Sequence, residues 1–269
     1  PILAIKVACH HAARYYLLNN RGAIAPGYLA DFVIIDNFRD FQIEKVFKRG
    51  ELMVEDGVVA DFPAPEVDPL SGEEGPRHLP CRPSHRPGLS GSPAPGPVIG
   101  LVPGEIVSTD NGYADHVDLE QDILKIAVIE RHKGTGHIGL GYIQGYGLKA
   151  GAVATSISHD SHNIIVVGTN DLDMAFAVNH IAQQHGGIAV VSEQQVLGNL
   201  PLEIAGIMSG DTLVHVNEKL EAAKEAAYRL GVNREIDPFM TLSFMALPVI
   251  PTLRLTTRGV IDVLTQQYI

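Results

Sequence analysis

At 269 residues, 45% of them hydrophobic, the chain is long enough for one large or two ordinary globular domains with a substantial core. Acidic residues exceed basic ones by 31 to 20, and the formal charge of −11 excludes a nucleic-acid backbone or an anionic membrane as partner. Two cysteines in unrelated surroundings, Cys9 and Cys81, exclude a disulfide framework and fit a reducing cytoplasm; no apolar run reaches the roughly 18–20 residues of a membrane span.

In chain order, Ile2 to Leu18 reads as a helix that stops on Asn19-Asn20-Arg21-Gly22. Ala30–Asp36 reads as a strand, and Glu44–Phe47 with Glu51–Val54 as a hairpin about Arg49-Gly50. A helix and a small meander are the end of a domain rather than a whole one. Residues 60 to 97 hold ten of the seventeen prolines, and no lysine occurs between Lys48 and Lys125. Such a stretch buries too little apolar surface to offset its ordering entropy, so residues 61–97 are expected to be a linker or irregular crossing.

A second region starts at Val98. Val98–Val102 and Ile123–Glu130 read as strands, the latter covered on both faces. The glycines from Gly134 to Gly151 match no phosphate-binding fingerprint and are expected to serve turns and close backbone approaches. Ala152–Ile157 and Ile164–Val167 read as buried strands. Ile164–Val167, a helix over Leu172–His185 capped by Asn170 or Asp171, and Ile188–Val191 form a β-α-β unit with parallel strands and a right-handed crossover. Leu213, Val216, Leu220, Ala223, Ala227 and Leu230 mark an amphipathic helix, and Asp237–Pro248 a short buried one. The fold class is therefore α/β: a three-layer-like domain over 98–269, with a mixed sheet and flanking helices.

Between the strands 152–157 and 164–167 lie His159, Asp160, His162 and Asn163, groups that are costly to dehydrate unless each finds a partner. A polar turn would account for any one of them. Together they place imidazoles and a carboxylate where protons can be moved or a polar substrate held. Glu130 and His132, delivered at the end of a core strand before Gly134-Thr135-Gly136, are the next candidates. His159-x-x-His162 without a clear third ligand is a weak metal signal.

Four segments carry a resemblance: Glu130-Arg131-His132 with Gly134-Thr135-Gly136, Ser158–Asn170, Leu200–Ser209 and Asp237–Phe244. In that order they resemble the C-terminal domain of bacterial adenine deaminases. Gly22–Gly27 and Ala30–Ile34 resemble the place where an amidohydrolase-superfamily barrel ends and its β-sandwich resumes. The resemblance implies residues 1–20 as the end of a barrel, 21–60 as part of a composite β-sandwich and 98–269 as the C-terminal domain. It implies that the whole enzyme turns adenine and water into hypoxanthine and ammonia with manganese or iron, and acts as a cytoplasmic homo-oligomer. The barrel ligands include a His-x-His pair that this sequence lacks, so no metal residue carries over, and this chain alone is expected to bind no cofactor and to be inactive.

Two rival readings are an interaction module, with helix 211–230 and segment 238–250 at interfaces, and an independent metal-dependent hydrolase using His132, His159, Asp160 and His162.

Overall fold

The computed structural model describes residues 1–61 and 95–269, which fall in two units divided after Asp68. The proline-rich crossing expected over 61–97 therefore lies almost wholly outside the described residues.

In the first unit the helix runs continuously from Ile2 to Tyr15 (α1), with a π-helical turn over Lys6–His11. Strands β1 (Phe32–Ile35), β2 (Ile43–Lys48), β3 (Glu51–Glu55) and β4 (Val58–Val59) form an antiparallel sheet in sequence order. Arg49 and Gly50 both take positive φ, the geometry that joins two right-twisted strands tightly, so the expected hairpin stands. Asp31 braces it, its carboxylate accepting from the Arg49 backbone N–H at 2.7 Å and from Lys48 and Arg21 at 2.9 Å each. Phe32 and Phe47 stack at 4.7 Å between ring centroids. Ala13 is the one buried residue among those described in this unit.

The second unit is built on an eight-stranded sheet: β5 (Gly96–Leu101), β6 (Ser108–Ala114), β7 (Ile123–Ile129), β8 (Ile138–Gln144), β9 (Ala152–Thr155), β10 (Ile164–Gly168), β11 (Gly187–Ser192) and β12 (Gln195–Pro201). Their spatial order is β12-β11-β9-β10-β7-β8-β5-β6. Neighbours are antiparallel except β5 and β8, which are parallel, so the sheet is mixed. β10 and β11 are both antiparallel to β9, which lies between them; they are parallel to each other, as the β-α-β reading requires.

Alternation along the strands explains the layers. Ile164 and Val166 of β10, with Ala127 and Ile129 of β7, pack under Met174, Ala177, Val178 and Ile181 of α2 (Asp171–Gln183). Ile165, Val167, Ile126 and Val128 point the other way. There they join Ala223, Ala226 and Ala227 of α3 (Leu213–Arg229), Phe239 and Leu242 of α4 (Pro238–Met245), and Leu253, Leu255 and Val260 of a small sheet. That sheet comprises β13 (Leu253–Thr256), β14 (Gly259–Asp262) and β15 (Gln267–Tyr268). The central strands are covered on both faces, and their residues are β-branched with hardly a polar interruption for that reason.

The structure adjusts several expectations. The domain's first strand begins at Gly96, two residues before the expected boundary. The glycine-dense stretch carries a whole strand, β8, because Gly139 and Gly141 let Thr256 and Val260 approach where a Cβ would collide. Of the α3 stripe, Leu213 is exposed while Ala223 and Ala227 are buried. The strands β6, β12 and β15 escape an apolar reading because much of each faces solvent.

Candidate functional site

Strands β7 and β10 pair antiparallel with Ile129 opposite Ile164, and that register sets the site. The chain leaves β7 through Glu130-Arg131-His132 at the end of the sheet where it enters β10 through His162-Asn163, so two motifs some thirty residues apart meet side by side. The Arg131 backbone N–H donates to the Asn163 side-chain oxygen at 3.3 Å, and His132 Nε2 lies 2.6 Å from the Ser161 carbonyl. A carbonyl only accepts, so His132 Nε2 carries its proton there.

Glu130 is spent on its own loop. One carboxylate oxygen accepts from the backbone N–H groups of His132 (2.6 Å) and Lys133 (2.8 Å), the other from the backbone N–H (3.0 Å) and hydroxyl (3.1 Å) of Thr135. Burial alone would raise its pKa; these donors to the ionised form outweigh it and lower the pKa to about 2. The side chain is a loop brace that stays charged.

The 158–163 loop is a tight turn on the other side of the pair. The His162 backbone N–H donates to the Ser158 carbonyl at 2.5 Å, His162 Nδ1 accepts from the Ser158 backbone N–H at 3.4 Å, and His162 itself sits at φ +48°. Burial, followed by the charges of His159, Arg131 and His132, lowers the His162 pKa below its ordinary 6.5, against a smaller opposing pull from Asp160. The lowered pKa favours the neutral ring; with Nδ1 accepting from Ser158, its proton sits on Nε2, which can donate. The His159 ring packs on Phe244 at 4.8 Å between centroids and lies 6.2 Å from the His162 ring, while its backbone N–H donates to the Ser243 carbonyl at 3.1 Å. His159 and His162 are partly buried, Asp160 is exposed and Asn163 is buried. Phe244 also lines a cavity of about 240 Å³ together with Ile106, Met240, Thr241 and the acidic Glu105 and Glu235.

The remaining two motifs converge on the same place. Asp237 caps α4, one carboxylate oxygen accepting from the N–H groups of Phe239 (3.0 Å) and Met240 (2.8 Å), and so delivers Ser243 and Phe244 to His159. The turn over 203–208 presents the Ala205 carbonyl to Arg131 Nη2 at 2.8 Å and the Gly206 carbonyl to the Ser156 hydroxyl at 2.5 Å. Ser156 Oγ in turn accepts from the Gly187 N–H at 2.7 Å.

All six candidates thus lie at one end of the sheet, on two adjoining loops. Glu130, His132 and Asn163 are committed to holding those loops, and His162 partly so through Nδ1; the His159 ring packs on Phe244 and Asp160 is exposed. Sequence reasoning missed Arg131 and Ser156. The signal for Arg131 was present: a cation directly after an unbroken buried strand must find several acceptors or forfeit its hydration. The start of α2 is capped by Asn170, whose side-chain oxygen accepts from the Asp173 N–H at 2.9 Å.

Among the described residues no group of three or more His, Cys, Asp or Glu is placed to hold a metal ion. The donor set that an independent metallohydrolase would need, His132, Asp160, His159 and His162, is not gathered into one. Among the described residues no helix is long and apolar enough to cross a membrane.

Residues 104–267 match the model of the adenine deaminase C-terminal domain, and residues 1–53 that of the amidohydrolase family. An adenine deaminase of Dehalococcoides mccartyi is 42% identical over 277 residues, covering 98% of this chain and 47% of the relative. An adenine deaminase 2 of Carboxydothermus hydrogenoformans is 42% identical over 271 residues, covering 97% and 47%. An adenine deaminase of Geobacillus kaustophilus is 42% identical over 284 residues, covering 100% and 48%. The chain spans about half the length of the curated relatives it matches. With the converging loops described above lying inside the matched region, the chain belongs to the adenine deaminase C-terminal domain family, preceded by a segment similar to the amidohydrolase family.

Proposed function

We propose that this chain forms the C-terminal part of an adenine deaminase, which hydrolyses adenine to hypoxanthine and ammonia in the cytoplasm, and that the 158–163 loop faces the substrate. In this reading residues 1–20 end the barrel, 21–60 contribute to a composite β-sandwich, 61–97 cross over and 98–269 form the C-terminal domain, in a homo-oligomer. The observation that carries it is that the other three motifs meet the 158–163 loop: 130–136 through Arg131 and His132, 237–244 through Ser243 and Phe244, and 200–209 by way of Arg131.

Replacing an exocyclic amine by water on an aromatic ring requires an activated water and a proton for the departing ammonia. The amidohydrolase family supplies the first with metal ions, manganese or iron in this reading; the described residues offer no ligand set for them. What this chain contributes is the second kind of group. His162 can donate its Nε2–H toward the departing amine, His159 presents an imidazole on the Phe244 ring, and exposed Asp160 can accept an N–H of a purine. His159→Ala or His162→Ala in the complete enzyme is expected to lower kcat/KM for adenine about 10²- to 10⁴-fold, the usual share of a proton-transfer or orienting group. Unchanged kcat and KM in both variants would leave the loop a structural turn.

A second reading, a role in assembly, is favoured by one observation. The first turn of α3 exposes Leu213 (84%) and Val214 (64%). Sedimentation of Leu213→Asp is expected to show fewer subunits per particle if that face is an interface, and no change if it is not.

A further inference from the structure

Arg131 is almost fully buried, and its side chain binds two loops that share no hydrogen-bonded strand. Nε donates to the His162 carbonyl, and Nη2 donates to the Ala205 carbonyl at 2.8 Å. The guanidinium lies flat against Gly206: a Cβ there would meet Nη1 at 2.6 Å, Nη2 at 2.7 Å and Cζ at 2.8 Å. Gly206 takes φ +76°, so the position disfavours other residues on backbone grounds as well. Its carbonyl is tied in turn to Ser156, at the end of β9. The planar cation thus fills the gap between the 158–163 loop and the 203–208 turn, with one face closed by a residue that has no side chain.

We propose that Arg131 is the positioning residue of the site: seated on Gly206, it sets the 158–163 loop through His162 and thereby the direction in which His159 and His162 face a ligand. This rests on the reading of that loop as substrate-facing. Lysine cannot replace it, because a single ammonium on a flexible stem lacks the rigid fork that reaches two carbonyls at once. Gly206→Ala must act on the same loop from the opposite side, by pushing the guanidinium off its seat. Arg131 and Gly206 therefore form one device, and their substitutions should not add.

The test reads the titration midpoint of the His162 ring protons by NMR in the chain of residues 1–269, as parent, Arg131→Lys, Arg131→Gln, Gly206→Ala and the Arg131→Lys/Gly206→Ala double variant. Methyl resonances of Val166 and Ile181 report that the sheet and α2 stay native. The groups facing His162 are Arg131, His132, His159 and Asp160, and Arg131→Lys keeps all these charges, so a rise reports an opened loop rather than a lost repulsion. The expected result is a midpoint that rises toward 6.5 in each single variant and no further in the double. A native Arg131→Lys whose midpoint equals the parent's overturns the proposal, as does a rise seen with Arg131→Gln and not with Lys. Should Arg131→Lys lose the native spectrum, Gly206→Ala, which keeps Arg131 in the chain, decides by the same midpoint.

In the complete enzyme the same substitutions should lower kcat/KM for adenine about 10- to 100-fold, the cost of a catalytic group misplaced by about an ångström. A moved His162 with unchanged turnover keeps Arg131 as the anchor and overturns the substrate-facing reading; an unmoved His162 overturns the anchor whatever the turnover.

Discussion

At the scale of residues, the site separates groups that hold from groups that can act. Glu130 has both oxygens occupied, and its depressed pKa makes it a contributor to stability with a definite pH signature. The folded state keeps it ionised down to about pH 2, whereas the unfolded chain protonates near 4.5. Its contribution is therefore fully present above about pH 4.5 and is lost as pH falls from there toward 2. Glu130→Gln should flatten that part of the pH dependence of the urea midpoint and lower stability at neutral pH; parallel curves for parent and variant below pH 4.5 would contradict the brace. His162 adds a step in the same direction at higher pH. Its folded pKa lies below 6.5, so the protein gains from it above 6.5 and loses stability as pH falls from 6.5 through the lowered value. His162→Gln should remove that step.

The candidate residues were legible at this scale. His159, Asp160, His162 and Asn163 stand out because strand ends do not need them, and Glu130 and His132 because they follow a core strand. Their division of labour was not legible. Whether a carboxylate is a proton donor or a loop brace depends on which N–H groups surround it, and those come from backbone turns that no spacing specifies. Arg131 shows the same limit more sharply, since its partners lie 31 and 74 positions away.

Elements show why some of the fold could be read directly and some could not. Runs such as Ile123–Ile129 and Ile164–Gly168 announce buried strands because both faces are apolar, and α2 and α4 announce their starts through Asn170 and Asp237. Asp237→Ala should cost α4 about 1 kcal/mol of stability through the lost cap, and loosen the Phe244 contact with His159; a smaller quenching or ring-current effect on His159 would report it. By contrast β8 hides among glycines. Gly139→Ala would drive a methyl into the Thr256 carbonyl, so it should be more destabilising than the helix-surface change Ala222→Gly, which costs about 1 kcal/mol. Equal thermal midpoints for the two would mean that β13 yields to β8 without strain. Edge strands β6 and β12 are half-solvated, and their mixed composition carries no period strong enough to separate them from loops.

At the scale of the molecule, the two units differ in how much they bury. The second has apolar layers on both faces of its sheet, reaching 0% exposure at Ile126, Val153, Ile165 and Val190. Among the described residues the first buries Ala13 alone, while Leu3, Tyr15, Tyr16 and Leu17 are each at least 70% exposed. A polypeptide of residues 95–269 is expected to unfold cooperatively at the midpoint of the whole chain, and one of residues 1–61 to show no cooperative transition, because so small a core cannot offset chain entropy. A cooperative calorimetric peak from 1–61 would refute this. The whole chain, incubated with adenine and manganese or iron, is expected to release no ammonia.

What the sequence by itself determined was local: where buried strands and capped helices lie, which polar residues stand between them, and which family the motifs resemble. Periodicity and composition carry that information because each is set within one turn of helix or a few residues of strand. What only the tertiary structure decided was juxtaposition. The antiparallel register of β7 with β10, the placing of β9 between β10 and β11, and the seating of Arg131 on Gly206 all depend on pairing across distances that no local pattern encodes, because hydrogen bonding between strands and close packing are properties of the assembled core.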